Sequence, residues 1–254
     1  MKLFDMSLLT KRLELVGSFS TPRAILSLAT VFIPITLINE QFLSSVYLQI
    51  LIMYSSITIL GFLIGGQDLL NYLQKVNYSW KKTFKIAIII YVANMILTYL
   101  GILLVGSDPQ GIAGKEDSIY VFFKNLSLLP FIGFGEEIFR LLTFLGFFSL
   151  LLGNIYVRFI TASVLTSCLF GLMHTFDYPL ATFLPLALGA IPVIVLTIYY
   201  KSVLPAIIQH LLLDGLSFLA HLEQIGEWLA GTIILFAVFI WIFRKYFIKS
   251  KDTT

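Results

Sequence analysis

Residues 131–145 read FIGFGEEIFRLLTFL. Apart from Glu136, Glu137 and Arg140, every residue here is apolar, glycine or threonine. Such a run belongs inside a packed or membrane-spanning helix. Even on the lower scales, a charged side chain at the centre of a membrane helix costs about 2.5–3.5 kcal/mol. Charges persist there when they are paired, when they face a polar cavity, or when they do chemistry. On a helix, Glu136 and Arg140 stand at i, i+4, and Glu137 and Arg140 at i, i+3. Both carboxylates therefore reach the guanidinium. One arginine neutralises one carboxylate, so the stretch holds a surplus acid.

The rest of the chain sets the same scene. Its 254 residues are 58% hydrophobic and 12% charged, with mean hydropathy +0.93. A soluble domain carries about 25% charged residues. Several apolar runs reach the ~18 residues that span a bilayer. The pattern predicts an all-α fold, a polytopic membrane helical bundle of about eight transmembrane helices. Residues 1–23 read as an amphipathic cytoplasmic segment, with Leu3, Met6, Leu9, Leu13 and Val16 at helical spacing. Residues 24–250 read as a single transmembrane domain. The expected spans are Ala24–Asn39, Leu48–Gly65, Phe84–Val105, Tyr120–Leu152, Phe159–Phe176, Leu180–Tyr200, Val203–Leu219 and Trp228–Ile248. The fourth is long, and Pro130, Gly133 and Gly135 are expected to break or tilt it. The polar stretch Gln67–Thr83 is expected along the membrane surface.

Asp5, Lys11, Arg12 and Glu14 interrupt the N-terminus, so no cleavable signal peptide is expected. The single cysteine, Cys168, sits in an apolar run and reads as a small buried hydrophobe. A net charge of +3 offers no basis for binding nucleic acid, but the placement of the basic residues is informative. Lys2, Lys11, Arg12 and Arg23 precede the first span. Lys75, Lys81, Lys82 and Lys85 follow the second. Arg158, Lys201, Arg244, Lys245, Lys249 and Lys251 complete one side, while the other holds Lys115 and Lys124. The positive-inside rule places both termini in the cytoplasm.

Two further polar clusters interrupt apolar helices. Phe170 and His174 stand four apart near the end of one span. His210 and Asp214 stand four apart inside another and share a helix face. Each has a plain structural reading: His174 as an interfacial histidine, His210 with Asp214 as a hydrogen bond within one helix, Phe170 as packing, Glu–Arg as an ion pair. Together, acids and histidines inside the membrane suggest a proton relay, a metal site or a hydrolytic site. The hydrolase motifs of soluble enzymes, G-x-S-x-G and H-E-x-x-H, are absent.

At these residues the chain resembles the CPBP family, which includes type II CAAX prenyl proteases and bacterial proteins tied to bacteriocin processing and self-immunity. The family pattern is a glutamate pair followed by arginine, then F-x-x-x-H, then H-x-x-x-N/D. Here it falls on Glu136, Glu137 and Arg140, on Phe170 and His174, and on His210 and Asp214, within a core of about residues 125–220. The family usually places three residues between the glutamates and the arginine; this chain has two, Ile138 and Phe139. Alignment on the glutamates makes Glu136 the base and Glu137 its supported partner. Alignment on the arginine puts Gly135 in the base position.

The resemblance implies an intramembrane endopeptidase acting on a membrane-associated peptide or membrane protein. Bacteriocin or pheromone maturation and self-immunity are the contexts it suggests, in a bacterial cell membrane. It implies Glu136, Glu137, His174, His210 and Asp214 as catalytic residues, with Arg140 and Phe170 in support and no cofactor. In the alternative with zinc or another divalent metal, Glu136, His174 and His210 supply ligands. Two other readings compete: an inactive membrane scaffold or immunity protein, which the shortened motif favours, and a proton-coupled transporter, which lacks a matching broken-helix pair in the first half. The implied partners are membrane lipid and a peptide or protein substrate. Reporter fusions at Asp108 and Glu223 are expected to read outside, and a fusion at Lys81 inside. A cytoplasmic signal at Asp108 would overturn this topology.

Overall fold

The computed structural model describes residues 5–37, 45–106, 109–110, 116–222, 229, 231–235 and 238. The helices are α1 (Met6–Glu14), α2 (Thr21–Ala29), α3 (Phe32–Leu37), α4 (Val46–Leu70), α5 (Trp80–Val105), α6 (Ile119–Leu150), α7 (Ile155–His174), α8 (Phe183–Tyr200) and α9 (Leu204–Ala220). The fold is all-α. Among the described residues, four helical segments are long and apolar enough to cross a membrane: α4, α5, α7 and the run Leu180–Tyr200 that contains α8. The expected first span is helical in two stretches, α2 and α3, separated at Thr30 and Val31, and its last residues, 38–39, lie outside the described residues. Most of the expected eighth span lies outside the described residues.

Helix ends follow local chemistry. Ser45 and Ser79 accept from the backbone N–H of Leu48 and Lys82 at the starts of α4 and α5. Asn154 accepts from Tyr156 and Val157 at the start of α7, satisfying donors that a helix start leaves open. Of the break or tilt expected in the fourth span, the break does not occur: α6 continues through Pro130 as one helix of 32 residues. Gly133 and Gly135 serve close approach instead. A Cβ on Gly133 would meet Leu211 at 3.0 Å, and one on Gly135 would meet the Tyr54 side chain at 2.7 Å.

The described residues form two compact units. One takes residues 1–113 and 130–211, the other residues 114–129 and 212–254. In the first unit, Leu9, Leu13, Leu69, Ile90, Ile138, Leu142, Phe144, Phe148, Val193 and Ile198 share one buried core. The apolar face of α1 thus packs on protein. In the stretch expected along the membrane surface, the apolar side, with Leu69, Tyr72 and Val76, joins the same core, while Gln67, Gln74, Lys75, Lys81 and Lys82 are exposed. α4 kinks at Gly66, whose φ is +50°, and Arg23 donates to the carbonyls of Ile64 and Gly65 beside the kink. Arg23 also pairs with Asp68 at 3.0 Å. Val203 N–H donates to Tyr72 C=O at 2.8 Å, which anchors the start of α9. In the second unit, Asp117 N–H donates to His221 C=O at 2.7 Å and Asn125 donates to the Asp117 carboxylate at 3.4 Å.

α8 packs against both α5 and α7 through small residues, as helices do when no hydrophobic difference separates protein from lipid. A Cβ on Gly101 would lie 2.5 Å from Pro185 Cα, and one on Gly171 would lie 2.5 Å from the Phe183 carbonyl. Asn94 donates to the Gly189 carbonyl at 3.1 Å. Large apolar side chains such as Leu63, Ile96 and Leu103 point outward on α4 and α5. Gly101→Ala tests this packing. Overpacking against backbone costs about 1–3 kcal/mol, whereas alanine's helix propensity returns at most about 1 kcal/mol. A lower unfolding temperature in detergent is expected, and an unchanged one contradicts the close approach.

Candidate active site

The acidic pair sits on α6, with Glu136 8% and Glu137 2% exposed. Helical geometry turns successive residues by about 100°, so the two carboxylates start from one turn but aim apart. Arg140 Nη2 lies 2.9 Å from Glu137 Oε1 and 3.7 Å from Glu136 Oε2. The arginine therefore pairs closely with Glu137 and only loosely with Glu136. No bulge is needed to absorb the shortened spacing, because α6 keeps a regular α-helical course here; the long guanidinium side chain covers the difference.

His210 arrives from α9, 5% exposed. Its Nδ1–H donates to Glu137 Oε1 at 2.7 Å, and its Nε2 lies 3.6 Å from Glu136 Oε2. Arg140 Nη2 is 3.2 Å from the same Nδ1, so the arginine and the histidine share one carboxylate oxygen. His174 ends α7. Its Nδ1–H donates to the Phe170 carbonyl at 2.9 Å, and its Nε2 stands 3.8 Å from Glu136 Oε1. A carbonyl and a carboxylate can only accept, and this assigns the tautomers. In both rings Nδ1 carries a proton, and Nε2 is the atom that faces Glu136.

Phe170 supports two of these groups at once. The Arg140 guanidinium lies 3.9 Å from its ring centroid, in cation–π contact. Its ring also packs on His174, with centroids 4.5 Å apart. The site opens on the His174 side, where 22% of the side chain is exposed. Just beyond, in the turn after α7, partial desolvation pushes the Asp177 carboxyl above its ordinary value, opposed by the attraction of His174. A small cavity beside Glu137 and Arg140, closed by Val193, Ile194 and Thr197, has room for about one water molecule.

The structure thus brings together six of the residues singled out by sequence: Glu136, Glu137, Arg140, Phe170, His174 and His210. Asp214 lies one turn beyond His210 along α9 and falls in the second unit. Sequence reading missed Tyr54. Its phenol donates to Glu136 Oε1 at 2.7 Å from α4. A signal was available: the Tyr54-Ser55-Ser56 step puts a polar patch well inside an apolar span, away from the interface where tyrosine usually sits. Among the described residues, no group of three or more His, Cys, Asp and Glu side chains is arranged to hold a metal ion.

Residues 118–216 match the family model described as type II CAAX prenyl endopeptidase Rce1-like. The match covers less than half of the chain and includes every residue of the three motifs. Tyr54 lies outside it. No curated protein and no solved structure matches the chain. Among the described residues, four apolar helices fit an integral membrane protein. Glu137→Gln is expected to strand the buried guanidinium. Removing one partner of such a pair costs about 3–5 kcal/mol, so thermal unfolding in detergent and membrane level should both fall. Wild-type stability would contradict the pairing.

Proposed function

With an Rce1-like domain over residues 118–216 as premise, we propose that this chain is an intramembrane endopeptidase that hydrolyses a peptide bond in a membrane-associated peptide or protein, with Glu136 as general base. The observation that carries the reading is the division of the acidic pair. Arg140 stands 2.9 Å from Glu137 but 3.7 Å from Glu136, so Glu136 is the carboxylate available to take a proton. In the reaction, Glu136 removes a proton from water as the water oxygen bonds to the scissile carbonyl carbon. The tetrahedral intermediate then breaks its C–N bond, and the departing amine takes the proton from Glu136. Proton transfer by a positioned group is worth about 10²–10⁴ in rate.

The lone pair on His174 Nε2 suits it to orient or share the water proton. His210 is held by Glu137 through Nδ1, and in its protonated form Nε2–H is a donor for the developing oxyanion. The oxyanion role of Asp214 rests on the motif alone and requires its neutral acid form. Eight spans, both termini in the cytoplasm and a bacterial membrane complete the proposal on the strength of the charge pattern and the resemblance. Bacteriocin or pheromone maturation and self-immunity are the settings it brings.

The shortened glutamate–arginine spacing favours one competitor, an inactive scaffold or immunity protein. Purified protein in detergent, offered a farnesylated CAAX peptide and its unprenylated counterpart, separates the two. Cleavage is expected, with Glu136→Gln lowering the rate by about 10²-fold or more while the protein stays folded. Full cleavage by Glu136→Gln removes Glu136 as base. A wild type that cleaves neither peptide supports the scaffold. Loss of cleavage with a chelator and its return with zinc would replace the metal-free mechanism.

A further inference from the structure

The hydrogen bond between Tyr54 and Glu136 has a role beyond packing. Glu136 Oε1 accepts from the phenol at 2.7 Å. The other oxygen, Oε2, faces Arg140 Nη2 at 3.7 Å and His210 Nε2 at 3.6 Å, both beyond direct hydrogen-bond distance. Arg140 meanwhile keeps unused capacity: its Nε and Nη1 are buried with no hydrogen-bond partner among the described residues. A buried guanidinium with open donors attracts any mobile carboxylate in reach, and Glu136 stands at i, i+4 from it. Rotation of Glu136 would close that gap and tie up both acids in one ion-pair network.

We propose that Tyr54 is a positioning residue: its phenol pins Oε1, holds Glu136 off Arg140, and leaves Oε2 as the atom that accepts the proton of the attacking water. The catalytic part of this rests on the endopeptidase reading, whereas the restraint on the carboxylate does not.

The surroundings of Tyr54 suit a fixed arm. Its ring packs against a small buried cluster of Met53, Ile57, Phe139 and Met173, drawn from α4, α6 and α7. Phe139 and Met173 immediately precede Arg140 and His174, so the cluster that holds the ring also flanks the groups the ring must align with. Two glycines permit the approach. A Cβ on Gly135 would fall 2.7 Å from Tyr54 Cδ1 and 3.1 Å from its backbone carbonyl, and a Cβ on Gly61 would fall 2.5 Å from Ile138 Cγ2. Gly135 is the residue that alignment on the arginine places at the base position. Its missing side chain is instead the space that Tyr54 occupies.

The test is Tyr54→Phe, which keeps the ring and removes the hydroxyl, alongside Glu136→Gln and the double variant. Two readouts are taken: kcat and KM on the farnesylated CAAX peptide, and labelling of Glu136 in membranes by dicyclohexylcarbodiimide, which modifies protonated intramembrane carboxyls. The labelled peptide is read by fragment mass spectrometry, which separates Glu136 from Glu137. Tyr54→Phe is expected to unfold at the wild-type temperature, to lower kcat by about 10–100-fold with KM unchanged, and to cut Glu136 labelling several-fold as the acid pairs with Arg140. The double variant should be no slower than Glu136→Gln alone, because Tyr54 acts through Glu136. Wild-type kcat with unchanged or increased labelling overturns the proposal, since a merely structural tyrosine leaves Glu136 in place and easier to protonate. Should the wild type cleave nothing, the endopeptidase reading fails, and the labelling contrast still decides whether Tyr54 restrains Glu136.

Discussion

A guanidinium buried among apolar helices has to be answered by a carboxylate, and Arg140 is answered by Glu137 at 2.9 Å. Desolvation makes each charge expensive alone, so the pair is strongly tied once formed. Much of the site follows from it. The shared oxygen of Glu137 draws in His210 Nδ1 at 2.7 Å, which sets that ring's tautomer. The flat face of Arg140 rests on Phe170, whose carbonyl sets the tautomer of His174. Glu136 is then left between the Nε2 atoms of two imidazoles and one phenol. A different choice of partner by Arg140 would rearrange all of these contacts.

The ion pair depends in turn on how closely the helices approach. α6 carries no side chain at Gly133 and Gly135, and α9 and α4 use that room. α8 is held against α5 and α7 by Gly101 and Gly171. In a membrane, where lipid solvates apolar surface as well as protein does, such close backbone contact is a main source of helix association. Single glycines far from the acids therefore help decide where the histidines stand.

Much of this was legible in the chain. Apolar runs interrupted by three polar clusters point to membrane helices and to acids and histidines that come together, because a charge in hydrocarbon needs a reason. The i, i+4 spacing of Phe170 and His174 placed ring against ring. Other expectations were met in part. The Pro130–Gly135 stretch looked like a break or a tilt, and α6 runs on without a break, because helical hydrogen bonding tolerates a proline when neighbours hold both sides. The first apolar run looked like one span, and it is helical apart from an interruption at Thr30 and Val31. The polar stretch after α4 looked like surface with one apolar side, and that side is buried on protein: Tyr72 and Val76 are 3% and 2% exposed.

By itself the sequence determined the class of fold, the three motifs and the presence of one acid more than the arginine can neutralise. Those features depend on residue type and on spacing within one helix, which local geometry sets. Only the tertiary structure decided which acid is the surplus one, since both are within reach of Arg140 and a shift of about 1 Å in where the partners converge separates 2.9 Å from 3.7 Å. It alone also brought Tyr54 to Glu136 across 82 residues of chain. No periodicity records such a contact, because it arises where two helices cross at a glycine.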